Sequence, residues 1–403
     1  MEIFTKPKTE ILFSEGIKQI PTSYIREILK VTADPDMISF AGGLPNPALF
    51  PVEEIKKVTA EILNKEAANI LQYAKSEGYL PLREFIANRY KEKYNLEVSP
   101  EEILITNGSQ QALDLIGKVF LNPGDQVLLE KPSYLGAIQS FSFYQPKFIT
   151  VPLEADGPDI EHLNKILSIQ KPKFFYSIPN FQNPSGITYS ESKRKTVCEA
   201  VINNNLLLVE DDPYGEINFS GEMYPPLKTQ IGNKGILLGT FSKIVAPGLR
   251  LGWVVAEKSI IKQLIRAKQA SDLHSNNLSQ RIIYQYLNQF NLENHLEKLR
   301  SNYKLQCNWM IAAMRKYFPK EINYMEPKGG MFIWVQLPKG FSVMDLAKET
   351  IKQKVVFVPG NTFYVDGSGE NTFRLNFSNS DEKTIEKGIK RMGKILEQFM
   401  SER

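Results

Sequence analysis

Cysteine and histidine are scarce in this chain, and no long apolar run interrupts it. Only Cys198 and Cys307 occur among 403 residues, far apart and in no CxxC spacing. Two such thiols build no disulfide framework and fit a reducing compartment, so each is expected to behave as a small core or surface residue. The three histidines, His162, His274 and His295, stand in no metal-ligand spacing, and no metal site is expected. No stretch approaches the ~18 apolar residues of a membrane span. Met1 to Lys6 lacks the apolar character of a secretory leader, which makes a cytoplasmic protein the expectation. An excess of one charge is missing too. The 49 Lys and Arg against 45 Asp and Glu leave +4, without the dense basic run that would grip nucleic acid.

What is present is the balance of a soluble globular protein, 42% hydrophobic and 23% charged. The length asks for two or three packed units. Residues 1–50 read as an arm: a short helix over 23–31, then Ser39-Phe40-Ala41-Gly42-Gly43-Leu44-Pro45, too rich in Gly and Pro for regular structure. Residues 51–290 alternate helical stretches with short apolar runs, at 103–106, 127–129, 174–176, 206–209 and 236–238. These runs are apolar throughout rather than alternating, as strands covered on both faces should be. That order predicts an α/β domain with a mostly parallel sheet. Residues 291–403 change texture. A long charged helix over 291–317 precedes strands at 330–335, 355–358 and 373–377 and a last helix over 381–400. This reads as a smaller α+β domain, completed by the arm.

Open parallel sheets bind ligands beyond the carboxyl ends of their strands, so the polar residues following each run are the candidates. Thr106-Asn107-Gly108-Ser109-Gln110-Gln111-Ala112 turns into a helix whose free backbone N–H groups suit a phosphate, although Gly-Ser before a helix can be a simple cap. Glu210-Asp211-Asp212-Pro213-Tyr214 offers acids that could coordinate magnesium, hold a protonated ring nitrogen, or merely end a strand. Thr240, Ser242, Lys243 and Arg250 gather around a Pro-Gly turn after the last strand. Burial there would depress the lysine pKa and free its amine for carbonyl chemistry.

Taken in order, Asn183-Pro184-Ser185-Gly186, Asp211 with Tyr214 three residues on, and Ser242-Lys243 with Arg250 seven on resemble the fold-type I, class I/II aminotransferases that use pyridoxal 5'-phosphate (PLP). The resemblance runs over nearly the whole chain. It is strongest to the 2-aminoadipate and kynurenine aminotransferases, through the arm 39–45, Leu71-Gln72-Tyr73, residues 107–112, Lys131-Pro132-Ser133-Tyr134 and Pro327-Lys328-Gly329-Gly330-Met331-Phe332. It implies a seven-stranded-type sheet in a large PLP-binding domain. It also implies roles. Lys243 would hold the cofactor as a Schiff base and move the proton between substrate and cofactor carbons. Asp211 would keep the ring nitrogen protonated, and Asn183 and Tyr214 would bond the ring oxygen. Tyr134 would stack on the ring. Ser109, Gln110, Thr240, Ser242 and Arg250 would hold the phosphate, with Thr240 standing where serine is common. Arg374 would clamp the substrate α-carboxylate through two parallel bonds.

The same resemblance extends to partners and substrates. Tyr73 would reach the phosphate of the neighbouring subunit, making the active unit a homodimer with shared sites. In the arm, Arg26 would meet the distal carboxylate of 2-aminoadipate, glutamate or 2-oxoglutarate. Ser23 would lie on the same helical face, and Gly43 would leave room for the substrate backbone. Tyr24 is bulkier than the small residue the pattern calls for. The expected activity is transfer of an amino group from an L-α-amino acid to a 2-oxo acid. The alternatives are a β-lyase or α-carbon decarboxylase of the same fold, a PLP-binding regulator domain, for which residues before the arm leave no DNA-binding module, and a magnesium-dependent hydrolase resting on Glu210, Asp211 and Asp212.

Overall fold

The computed structural model describes residues 12–21, 34 and 36–401. Seven strands build the large sheet: β1 (Ile103–Thr106), β2 (Gln126–Lys131), β3 (Lys147–Glu154), β5 (Phe174–Ser177), β6 (Leu207–Asp211), β7 (Gly235–Thr240) and β8 (Gly252–Val255). A two-residue β4 (Gly157–Pro158) folds back on β3, and the order is β1-β8-β7-β6-β5-β2-β3-β4. β3, β2, β5, β6 and β7 are mutually parallel. β8 runs antiparallel to both β1 and β7. The five apolar runs expected as strands are all strands.

β3 and β8 were not expected, for identifiable reasons. β3 lies near the sheet edge and is half exposed along most of its length, so it lacks the continuous apolar signal of its neighbours. β8 has only four residues and begins directly after the turn that carries Arg250. Burial on both faces explains the apolar runs: Leu104, Leu129, Tyr176, Val209 and Leu238 face one core cluster, while Leu128, Phe175 and Leu208 face another across the sheet.

A second, antiparallel sheet comprises β9 (Asn323–Tyr324), β10 (Phe332–Gln336), β12 (Thr372–Asn376) and β11 (Val358–Pro359), in that spatial order. The run expected as one strand over 355–358 divides. Val355–Val356 pairs in parallel with Ile38–Ser39, and Val358–Pro359 pairs with β12. The arm thereby joins this layer: Phe40 donates to Val356 O (2.8 Å) and accepts from Asn376 N (2.8 Å). The long helix Leu292–Tyr317 starts on Asn291, whose side chain accepts from two backbone amides, and packs beside the last helix, Glu382–Ser401. One apolar cluster runs through Ile105, Leu237, Leu296, Met310, Val335 and Leu375, linking both sheets to that helix. The short helix expected over 23–31 lies outside the described residues.

The topology aims several strand ends at one place. Thr106 and Thr240 both stand opposite Gly252 across β8. A methyl group on Gly252 would sit 2.8 Å from the carbonyl carbon of Gly108, from Gly239 O and from Ser109 N. Backbone on three sides cannot yield as a side chain can, so the missing Cβ lets the 107–109 turn close on the sheet. Gly252→Ala is expected to cost about 1–3 kcal/mol through overpacking, read as a lower midpoint in thermal and urea unfolding. An unchanged midpoint would show that this approach is not constrained.

Candidate active site

A cleft of ≈ 270 Å³ opens where these strands end. Each wall comes from a different element: Ser109 and Gln110 follow β1, Tyr134 follows β2, Ile178 and Asn183 follow β5, and Asp211, Pro213 and Tyr214 end β6. Thr240, Ser242 and Lys243 leave β7, and Arg250 precedes β8. Phe332 and Arg374 arrive from the second sheet and Gly43 from the arm. Twelve residues singled out from sequence line this cleft: Gly43, Ser109, Gln110, Tyr134, Asn183, Asp211, Tyr214, Thr240, Ser242, Lys243, Arg250 and Arg374.

Lys243 extends its amine to Gly43 O at 2.7 Å. Burial, reinforced by the positive charges of Arg374 and Arg250, brings its pKa down to about 8. A lysine so placed is a neutral nucleophile for a substantial fraction of the time near neutral pH. Asp211 is 2% exposed. Its Oδ2 accepts from the Tyr176 hydroxyl at 2.8 Å, while Oδ1 has no partner among the described residues. Burial dominates in raising this carboxyl to about 7, against the opposing Tyr176 bond, with Asp212 and Glu130 adding repulsion. A buried carboxylate oxygen without a donor is costly, and Asp211 is one of the residues lining the cleft.

Arg374 is also buried. It donates to Asn183 Oδ1 (2.7 Å) and Ala41 O (2.6 Å), leaving Nε unpaired. The rings of Phe332 and Phe363 lie 4.2 and 5.1 Å from its guanidinium carbon, and burial lowers its pKa to about 10. Tyr214 sets its ring edge against Phe332, and burial pushes its phenol far up. A helix start and an arginine also meet in the cleft. Helix Ser109–Phe120 begins after Gly108, whose φ of +79° suits glycine. The Arg250 guanidinium crosses that turn, donating to Asn107 O (3.2 Å) and weakly to Ser242 Oγ (3.4 Å).

Several side chains are already engaged. The Gln110 amide donates to Gly136 O (2.8 Å) and Ser140 Oγ (2.7 Å) and accepts from the Tyr134 hydroxyl (3.3 Å). It thus braces Tyr134, and its backbone remains at the helix start. Thr240 Oγ1 donates to Leu251 O and accepts from Ser242 N, pinning the turn that carries Lys243. Tyr73 does not line this chain's cleft. It is 79% exposed, with its ring edge on His274. Ser23 and Arg26 lie outside the described residues.

The three consecutive acids diverge. Glu210 accepts from the backbone amides of Leu227 (2.7 Å) and Lys228 (3.0 Å), and Asp212 from Asn180 Nδ2 (2.9 Å) and Gly215 N (3.0 Å). Among the described residues no group of three or more His, Cys, Asp or Glu is placed to hold a metal ion. Sequence reasoning passed over Ile178, Pro213, Pro247, Phe332 and Phe363. Phe332 lay inside a quoted motif yet drew no role, because an aromatic residue in an apolar strand looks like core.

An enzyme cleft with a depressed lysine, a half-satisfied buried acid and a desolvated arginine invites comparison with known proteins. The family model for aminotransferase class I and II matches residues 35–392. A 2-aminoadipate transaminase of Thermus thermophilus is 43% identical across 96% of this chain and 97% of that protein. An aromatic-amino-acid aminotransferase of Thermococcus litoralis is 41% identical across 97% of this chain and 95% of its own. The crystal structure of a Thermus thermophilus α-aminoadipate aminotransferase, complexed with N-(5'-phosphopyridoxyl)-L-leucine, matches with a TM-score of 0.93 at 41% identity, covering 98% of this chain and all of that one. The chain belongs to the class I and II aminotransferases, of fold type I.

Asp211 and Asp212 are adjacent, but Asp211 lines the cleft and its Oδ1 has no partner among the described residues, whereas Asp212 accepts from Asn180 and Gly215. Asp211→Asn is expected to retain its fold and lose ~10²–10³-fold in turnover, the scale of one lost electrostatic stabiliser. Asp212→Asn is expected to affect stability more than rate. Steady-state kinetics of the two variants decide, and a reversed order would mean the wrong acid has been chosen.

Proposed function

We propose that this chain is a PLP-dependent aminotransferase that moves the amino group of an L-α-amino acid to a 2-oxo acid, such as 2-oxoglutarate, in a ping-pong cycle. The observation that carries the reading is the unpaired Asp211 Oδ1, in one cleft with the Lys243 amine and the Arg374 guanidinium. A protonated pyridine nitrogen supplies the donor that this oxygen lacks, and a phosphate suits the helix start beside Arg250. When bound, the cofactor supplies an electron sink for the charge released at the substrate α-carbon.

The residues act around it. Asp211 keeps the ring nitrogen protonated by ion pairing. Lys243 would anchor the cofactor and, once released as a free amine, would be the base that takes the substrate α-proton. Its depressed pKa keeps it available as a base. Asn183 and Tyr214 hold the ring oxygen, and Tyr134, braced by Gln110, stacks on the ring face. Ser109, Gln110, Thr240, Ser242 and Arg250 form the phosphate end. Arg374 receives the substrate α-carboxylate. Its bond to Asn183 ties the carboxylate site to the ring-oxygen site, and the two phenylalanines keep it desolvated, so a carboxylate bound there is held strongly.

The active unit in this reading is a cytoplasmic homodimer, with Tyr73 touching the partner's cofactor. The exposed Leu71, Tyr73 and Leu273 support this, because the Tyr73 ring packs on His274 beside Leu273 and groups them, and a contiguous apolar patch marks an interaction surface where scattered residues do not. The donor range follows from the walls. Apart from Lys243, Arg250 and Arg374, no cation lines the cleft among the described residues, and Ile178 and Phe332 are apolar. Aromatic and branched donors fit this directly. An acidic donor, 2-aminoadipate or glutamate, requires a cation from the arm, and Arg26 is the residue we assign to it, with Ser23 beside it and Gly43 leaving room for the substrate backbone. The names of the two relatives, one for 2-aminoadipate and one for aromatic amino acids, support both classes.

Half-reaction spectroscopy tests the activity. An amino acid should convert the bound cofactor to its amine form, and an oxo acid should reverse it. A lyase or decarboxylase would instead release ammonia or carbon dioxide. Lys243→Ala should lose the visible absorption of lysine-linked cofactor and ~10²–10⁴-fold or more in turnover, as for a lost acid–base group. In the wild type, capture of free PLP by the apoprotein should accelerate about tenfold per pH unit below pH 8 and level off above it, because only the neutral amine reacts. A flat profile would show that another group captures the cofactor.

Arg26→Gln tests the donor assignment. It should lower the specificity constant for glutamate and 2-aminoadipate about ten- to a hundredfold, the scale of one charge-assisted hydrogen bond, and leave leucine and phenylalanine nearly unchanged. Equal losses for both classes would remove Arg26 from side-chain recognition.

A further inference from the structure

We propose that Tyr176 is a positioning residue: its buried hydroxyl grips one oxygen of Asp211, so that the carboxylate stays charged and presents its other oxygen to the ring nitrogen of the cofactor. The inference rests on the role proposed above for Asp211.

The geometry is built into neighbouring strands. Tyr176 lies on β5, opposite Leu129 of β2 and Val209 of β6. Side chains alternate faces along a strand, so Tyr176 shares a face with Val209, and with Asp211 two residues on. Tyr176 is fully buried, its ring fixed by the edge of Phe141 at 5.9 Å. The hydroxyl's one recorded partner is Asp211 Oδ2, at 2.8 Å. Among the described residues nothing reaches Oδ1. The phenol therefore leaves the carboxylate one acceptor site and sets its direction.

The effect on charge follows. Around Asp211 stand Tyr176 on β5, Asp212 on its own strand end, Glu130 on β2, and Tyr134, Tyr214, Lys243 and Arg374 across the cleft. Burial and the two acids raise the Asp211 carboxyl, and the Tyr176 bond opposes them. Without that bond the carboxyl would compete with the ring nitrogen for their shared proton. A neutral acid beside a neutral ring is a weaker electron sink than an ion pair. A donor to Oδ2 stabilises the charged acid, so the proton remains on the ring.

The test needs neither turnover nor bound cofactor at its first stage. The Asp211 carboxyl is titrated in apoprotein by infrared difference spectroscopy, with Asp211→Asn identifying the band. In Tyr176→Phe the midpoint should rise by about one pH unit or more, since one charge-assisted bond is worth tenfold or more in proton affinity. Incorporating 3-fluorotyrosine at position 176, a stronger donor, should move it downward, which keeps the idea testable should the phenylalanine variant fold poorly. At the second stage the half-reaction rate is measured in PLP-loaded protein. Tyr176→Phe should lose about tenfold on the same scale, and should lose nothing further when combined with Asp211→Asn. An unmoved carboxyl midpoint, or losses that simply add, overturns the role of Tyr176. Full activity of Asp211→Asn would instead overturn the reading of Asp211, while leaving the shifted midpoint as proof of the contact.

Discussion

Asp211 ends a central strand with one oxygen bonded and the other bare, in surroundings where an unpaired charge is expensive. Folding ordinarily removes such a group or gives it partners, because a buried polar atom without a donor costs ~1–3 kcal/mol and more when charged. Here the cost is retained at the floor of a cleft, opposite a lysine whose own charge burial opposes. Each destabilises its charged form in the empty protein. A ligand offering a proton donor to the acid and a carbonyl to the amine relieves both at once.

The rest of the architecture keeps those two groups in register. Five mutually parallel strands place β6 and β7 side by side, so Asp211 and the turn holding Lys243 emerge together. β8 reverses direction, which brings Gly252 and the preceding Arg250 back to the same edge. The absence of a side chain at Gly252 lets the start of helix Ser109–Phe120 close against β7. The helix start, Arg250 and Lys243 thus come to line one cleft. From the other side, Arg374 is held by the carbonyl of Ala41 and by Asn183. The arm, the second sheet and the loop after β5 therefore share one guanidinium, and a disturbance in any of them reaches Arg374.

Legibility from sequence varied with how local each cause is. The inner strands were visible because burial on both faces demands unbroken apolar runs. β3 escaped because an edge position relaxes that demand, and β8 because four residues are too few to show a pattern. The cleft residues were readable mainly as a spaced set. Asn183, Asp211, Tyr214, Lys243, Arg250 and Arg374 are each ordinary alone, and only their order and spacing marked them. Gln110 keeps its backbone at the helix start, but its side-chain amide is engaged by Gly136, Ser140 and Tyr134, partners remote in sequence and invisible to any local rule.

By itself the sequence determined the family, the α/β order of elements and the spacing of polar groups after strands, because periodicity and turn chemistry act over a few residues. Only the tertiary structure decided which of three consecutive acids lines the cleft with an unpartnered oxygen and which two are bonded elsewhere. It likewise decided that Tyr176, unremarkable in an apolar strand, supports that acid, and that Phe332 and Phe363 desolvate Arg374. Those outcomes depend on which strands are neighbours and on which face each side chain lies. Both follow from sheet order and register, which are set by packing across the whole chain.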